Sequence, residues 1–475
     1  VRGHKARLQF SGFPVFVSAF CVRFCRKGKV MTRWRAPLAW LVIVVLVSFI
    51  VYRNSHPTAT PDEAAVTIDD IRIQVIAEEL IGIKSLGSLA GQLQTARLIE
   101  NQQLLISQLE ETAHTTSDKL HIAMVAGEIL GKDQALAKLA AIEHSSSSRV
   151  SPEQLNDIAS LRKIYSSNAL VLDSVSRDLL LHRHDYFARL ALSYGVNPGT
   201  EPRKSIEAGG IRATVMLGFA SLAMLLLLLG GFGFFIAAVF LWRKGRLGRA
   251  YIPDPAAGTV YLEGFAIYLV LFILGFGLLR RYFGLVSLQW EWFALLIVPV
   301  VLVWLRVGSS SEAQRRALGW HTGRGVFREI GAGIAGYLAG IVVMVAGFLV
   351  TYLLVKRTGI SPEHPLIHIL QGDIWHVLGL YALVSIFAPF MEETMFRGAL
   401  FHHLRRRWGW AITALIVAFI FAVIHPQGWV AVPVLGSIAI VLAALREWRG
   451  SLIAPMVAHA CNNFVVLTFA LAVLR

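Results

Sequence analysis

Long apolar stretches alternate with short basic clusters over most of the chain, and one extended polar segment interrupts them early on. The apolar runs near 36–52, 213–242, 260–279, 285–305, 329–354, 375–401, 409–426, 429–446 and 451–474 are each near or above the ~17–25 residues with which a helix crosses a bilayer. They predict about nine spans. Between Arg53 and Arg212 the pattern changes, and apolar residues recur at helical spacing among polar ones, as at Ile68, Ile71 and Val75 and again at Leu93 and Ala96. Several amphipathic helices are expected there. SPEQ (151–154) supplies Ser151 as N-cap, Pro152 at the first helical position and Gln154 three residues in. SSSS (145–148) reads as a loop, and the helical-repeat character of 126–142 has no second copy at a fixed period. The expected fold is all-α: a polytopic transmembrane helix bundle with an extracytoplasmic α-helical domain after the first span.

Composition strengthens this reading, since 55% of the 475 residues are hydrophobic and only 16% are charged, too apolar a balance for a soluble domain. A net charge of +15 raises the question of nucleic acid. The Lys and Arg lie instead in short clusters flanking apolar runs, as in RKGRLGR (243–249), so no nucleic-acid partner is expected. With a cytoplasmic N-terminus, 243–249, Arg315/Arg316/Arg324/Arg328, Arg405–Arg407 and Arg446/Arg449 fall inside, against weaker outside pairs at Arg280/Arg281 and Lys356/Arg357. That places 54–212 outside the cytoplasm and the chain in the inner (plasma) membrane. Met31 opens a basic flank followed by an apolar run without a convincing cleavage site, so 31–53 reads as a retained signal anchor and 1–30 as a candidate spurious extension. The segments are thus 1–30, 31–53 (anchor), 54–212 (polar domain), 213–328 (further spans) and 329–475 (core with the candidate site). Cys21, Cys25 and Cys461 provide neither a disulfide framework nor a thiolate metal site.

The chemistry concentrates near the C-terminus. FAPFMEETMFRGALFHHLRRRWGW (387–410) carries Glu392, Glu393 and Arg397 inside an apolar span, where each uncompensated charge costs roughly 2.5–3.5 kcal/mol. Glu393 and Arg397 stand four residues apart on one helix face and can neutralise each other, whereas Glu392 projects about 100° away. His425 follows in FIFAVIHPQG, and His459 and Asn463 share a helix face in SLIAPMVAHACNNFVVL. A turn at Trp408–Gly409 brings Glu392 and His425 to one depth, about 24 Å from the tip at 1.5 Å per residue. His402 and His403, beside the triple arginine, are expected to face the cytoplasm. A desolvated carboxylate beside an imidazole suits water activation, while a second imidazole and an amide suit an oxyanion. Alternatively, Glu392, His425 and His459 can hold zinc with an open water position.

EETMFR (392–397), FAVIH (421–425) and HACNN (459–463) resemble, in order, the EExxxR, FxxxH and HxxxN motifs of the CPBP intramembrane proteases, relatives of the eukaryotic type II CAAX prenyl endopeptidase. The resemblance covers about 330–475. It implies Glu392 as the catalytic carboxylate acting with His425 on water, His459 and Asn463 as the oxyanion site, and Glu393 with Arg397 as support. The family is commonly labelled metalloprotease, yet a glutamate-type mechanism without a required cofactor is favoured here, with zinc as the alternative. The expected partners are the lipid bilayer and a protein or peptide substrate. HExxH, rhomboid-type and presenilin-type signatures are absent. The competing readings are a non-catalytic immunity or scaffold protein and a transporter with a carboxylate–histidine relay.

Overall fold

The computed structural model describes residues 30–55, 68–90, 95–113, 115–144, 150–167, 172–197, 199–253, 259–275, 312–360, 362 and 373–474. Among these residues it is all-helical, and the chain divides into two compact units, one of 1–57, 228–365 and 373–464, the other of 58–227, 366–372 and 465–475. The expected span at 285–305, the loop at 145–148, Leu93, Cys21 and Cys25 lie outside the described residues.

The second unit is built on α2 (Ile68–Ala90), α3 (Thr95–Thr112), α4 (Thr116–Leu130), α5 (Lys132–Glu143), α6 (Pro152–Ser166) and α7 (Ser174–Leu192). The N-terminus of α6 forms as the sequence predicts: Gln154 N donates to Ser151 Oγ at 3.2 Å and Ser151 N to Gln154 Oε1 at 2.9 Å. Thr115 and Asp118 make the same reciprocal box for α4. On α2 the helix forms as the apolar spacing predicts. Ile73, Ala77 and Ile81 are buried in the core of this unit, while Ile71 and Val75 flank that seam half-buried. Apolar spacing fixes the period of a helix more firmly than its rotation.

A polar chain runs through this core. Asp70 Oδ1 lies 2.6 Å from His121 Nδ1, His121 Nε2 lies 2.9 Å from His184 Nδ1, and His184 Nε2 lies 3.2 Å from Asp157 Oδ2. Arg183 holds the other Asp157 oxygen at 3.0 Å. Burial pushes the His121 imidazole below its ordinary value, against the opposing pull of Asp70 and Asp118 and with the help of His184. A ring with a lower pKa folded than unfolded binds fewer protons when folded, so its contribution is complete above about pH 6.5 and is lost as pH falls through the folded value. Amide protection in α4 and α7, corrected for intrinsic exchange, should therefore be weaker at about pH 5.5 than at about pH 7.5. His121→Phe, which can keep the stacking on Phe187 (4.0 Å between centroids), should flatten that difference. Equal pH dependence in both proteins would refute the assignment to His121.

Among the described residues, six helices are long and apolar enough to cross a membrane: 34–52, 203–243, 326–358, 374–405, 429–449 and 453–472, with shorter apolar helices at Val260–Ile273 and Trp410–Val423. In chain order these eight are α1 (Val30–Ser55), α8 (Arg203–Arg243), α9 (Val260–Val270, ending in a π turn at Leu271–Gly275), α11 (Val326–Thr358), α12 (Ile374–Arg405), α13 (Trp410–Val423), α14 (Val432–Arg449) and α15 (Ile453–Leu474), with the short polar α10 (Glu312–Leu318) between α9 and α11. Phe219, Leu226, Leu229 and Trp242 on α8 are exposed, as suits side chains facing lipid. Within the first unit α11 packs along α14, and α14 along α13. Glycines permit the close approach of α11: a Cβ on Gly347 would stand 2.6 Å from Pro433 O, and one on Gly340 would strike Val441.

Two expectations about charge change here. Arg446 is fully buried and donates to Arg397 O, Ala317 O and Gly450 O, while Arg449 binds both oxygens of the buried Glu329 at 2.9 and 2.6 Å. These arginines are internal ties as well as flanking charges. His402 and His403 are buried rather than facing the cytoplasm, and Tyr251 Oη lies 2.5 Å from His402 Nδ1.

Candidate active site

Glu392, Glu393 and Arg397 sit on α12, which is not a regular α-helix. It carries two π turns, Leu383–Phe387 and Thr394–Leu400, on either side of the six-residue α segment Ala388–Glu393. Each π turn widens the helix and releases backbone groups from the regular ladder. Their carbonyls are used. Asn463 Nδ2 donates to Val384 O at 2.8 Å, and Arg446 Nε donates to Arg397 O at 3.2 Å.

The turn expected at Trp408–Gly409 is present between α12 and α13. With 14 residues, α13 rises only about 21 Å, short of the ~30 Å hydrocarbon core. His425 consequently lies just past the helix end, half-buried. Its Nδ1 donates to Phe421 O at 2.6 Å, since a carbonyl can only accept. That leaves Nε2 facing Glu392 Oε2 at 4.0 Å.

His459 on α15 completes the group. Its Nδ1 lies 2.9 Å from Glu393 Oε1, which also accepts from Arg397 Nη1 at 2.8 Å, and its Nε2 lies 3.9 Å from Glu392 Oε2. Arg397 further donates to Ala439 O at 3.0 Å. Glu393 and Arg397 are fully buried, whereas the Glu392 side chain keeps 19% exposure. The two carboxylates therefore differ in kind: Glu393 is tied to Arg397 and His459, and Glu392 Oε2 is buried with no hydrogen-bond partner among the described residues.

Phe421 is the residue whose part the sequence left unstated. Its ring lies 4.8 Å from the Arg397 guanidinium, 5.1 Å from Phe396, 4.4 Å from His425 and 5.9 Å from His459. It walls the site, sits against the buried cation and supplies the carbonyl that fixes the His425 tautomer. The sequence signal was there, as the first residue of FAVIH, but spacing alone does not reveal contact with Arg397.

The structure brings Glu392, Glu393, Arg397, His425 and His459 together. Asn463 stands one turn beyond His459, its amide engaged with Val384 O and its Oδ1 accepting from Asn462 at 3.3 Å; an amide NH2 carries a second proton for a further acceptor. Tetrahedral zinc with ligands at about 2.0–2.1 Å holds its donor atoms roughly 3.3 Å apart. The 3.9 and 4.0 Å separations here are wider, and among the described residues no group of three or more His, Cys, Asp or Glu is placed to hold a metal ion. The set does not fit zinc as arranged. It fits water, because two acceptors bridged by one water at about 2.8 Å lie roughly 4–4.6 Å apart.

Comparison with known proteins adds a family. No curated protein and no solved structure matched the chain. Residues 374–465, which carry Glu392, Glu393, Arg397, His425, His459 and Asn463, match the family model of the Rce1-like type II CAAX prenyl endopeptidases, and the chain thus contains a domain of this kind, consistent with the CPBP proteases its three motifs resemble.

Proposed function

We propose that this protein is an intramembrane endopeptidase that hydrolyses peptide bonds of membrane-associated proteins or peptides, with Glu392 as general base and no required metal. The observation that carries this reading is the convergence of Glu392 Oε2 and two imidazole Nε2 atoms at water-bridging spacing. Glu392 takes a proton from water oriented by His425, and the hydroxide attacks the peptide carbonyl carbon. With its Nδ1 proton turned to Glu393 at 2.9 Å, His459 donates from Nε2 only as imidazolium. In it, His459 and the second Asn463 N–H meet the developing oxyanion. Collapse breaks the C–N bond, the departing amine takes the proton held by Glu392, and one water has been added across the bond. We also place residues 54–212 outside the cytoplasm, on the Lys/Arg bias of the loops that flank the spans.

Chelation tests this mechanism. Activity of the purified protein in proteoliposomes should survive exhaustive chelation, and Asn463→Ala should lower the rate by about 10²–10³, the usual loss for one oxyanion donor. One tightly held zinc per chain, removed together with activity, would overturn the metal-free reading. Substrate identity is open to a peptidomic comparison of membranes with and without the intact protein. If no membrane peptide changes its cleavage state, the non-catalytic scaffold reading gains.

A further inference from the structure

The first helix lies far outside the matched residues 374–465, and an anchor has no need to touch the site. Its pattern says otherwise. Ala39, Ile43, Leu46 and Ile50 are buried, at spacings of four, three and four residues, while Trp34, Leu38, Leu41, Val45 and Tyr52 are exposed. The buried stripe joins the same apolar core as Phe396, Phe421 and Ile424. Continued by one turn, it arrives at Asn54.

Asn54 Nδ2 donates to His425 O at 3.2 Å. This carbonyl lies beyond the last turn of α13 (Trp410–Val423), where a helix leaves backbone oxygens without intrahelical partners. The His425 backbone N–H bonds to Ala422 O at 3.4 Å and the ring Nδ1 to Phe421 O at 2.6 Å. Helix α13 thus holds the ring and the amide of His425, and nothing within α13 holds its carbonyl. Asn54 does, from another helix, with a polar residue placed at the end of an otherwise apolar stripe. Pro426 follows immediately and its missing N–H cannot help fix the segment.

We infer that Asn54 is a positioning residue for His425, and that α1 is therefore a working part of the peptidase rather than only its anchor. The inference rests on the peptidase reading for its catalytic readout, although the contact itself does not. A displaced imidazole loses alignment with Glu392 and water, and misplacements near 1 Å cost on the order of 10²-fold in rate. Loss of one supporting hydrogen bond displaces the ring less.

The test uses the full chain in proteoliposomes and a quenched fluorogenic peptide with an apolar C-terminal half. Asn54→Ala and the isosteric Asn54→Asp, which lacks the N–H donor, should each lower kcat roughly tenfold with little change in KM. Asn54→Gln, which keeps a donor, should recover part of the rate. A purely structural role would instead lower the amount of folded protein and leave kcat per folded molecule unchanged. Amide exchange over 421–428 is measured alongside and should quicken in the Ala and Asp variants. Wild-type exchange there in both variants overturns the inference whatever the activity. If wild type cleaves, Glu392→Gln does not, and the Asn54 variants match wild type in kcat, the positioning role fails while the peptidase reading stands. If wild-type protein and Glu392→Gln cleave alike, the peptidase reading fails, and the exchange result alone decides whether Asn54 orders the segment.

Discussion

Glu392→Gln is expected to lower peptide cleavage by about 10²–10⁴-fold, the range general-base groups contribute, while the protein still folds. Glutamine keeps the length and shape of the side chain and removes only its capacity to accept a proton. Little in the packing depends on the charge. Glu392 Oε2 has no hydrogen-bond partner among the described residues, and its nearest cationic candidates are imidazole nitrogens at 3.9 and 4.0 Å. Removing the charge of a partly buried carboxylate whose Oε2 makes no hydrogen bond leaves thermal stability unchanged or raises it. Activity and thermal midpoint in detergent should therefore separate, with cleavage collapsing and the midpoint unchanged or higher. A scaffold role predicts the reverse. If the glutamine variant cleaves a membrane peptide at the wild-type rate, Glu392 is not the base.

That separation of two adjacent carboxylates was legible in the sequence. Residues one apart on a helix point about 100° apart, so Glu393 and not Glu392 could face Arg397, and the 2.8 Å bond between them follows. His459 was legible as a partner on another span, and so was the turn before Trp410. What spacing could not supply was the π geometry of α12. Thr394–Leu400 reads as a regular helical stretch around Arg397, and the partner of its Arg397 carbonyl is Arg446, 49 positions away in sequence. The internal role of Arg446 was hidden for a related reason. A basic residue at the end of an apolar run resembles a flanking charge, and only packing distinguishes an arginine with three carbonyl partners from one in water. Helix α1 was read correctly as apolar and long enough to span, but its role depends on which helix its Ala39–Ile50 stripe meets. Periodicity identifies a buried face without naming its partner.

The second large effect concerns stability. Arg397→Ala should destabilise the first unit by about 3–5 kcal/mol, the usual loss when one member of a buried ion pair is removed. Neither side chain of the Glu393–Arg397 pair has any exposure, so Glu393 would be left charged without its strongest partner and close to Glu392. The substitution also removes the bond to Ala439 O and the cation from the face of Phe421. Part of the loss would thus be packing and part electrostatics, and a double-mutant cycle separates the two. Arg397→Met retains much of the volume. If the stranded charge dominates, Glu393→Gln in that background should recover a substantial fraction of the stability, making the double variant more stable than the sum of the singles implies. Recovery of the fold without recovery of cleavage is expected, because Glu393 also orients His459 through the 2.9 Å contact to its Nδ1. Thermal unfolding in detergent measures the first quantity and proteoliposome cleavage the second. Strict additivity of the two substitutions in unfolding would show that Arg397 acts through its packing and its bond to Ala439, and that the ion pair contributes little to holding the site together.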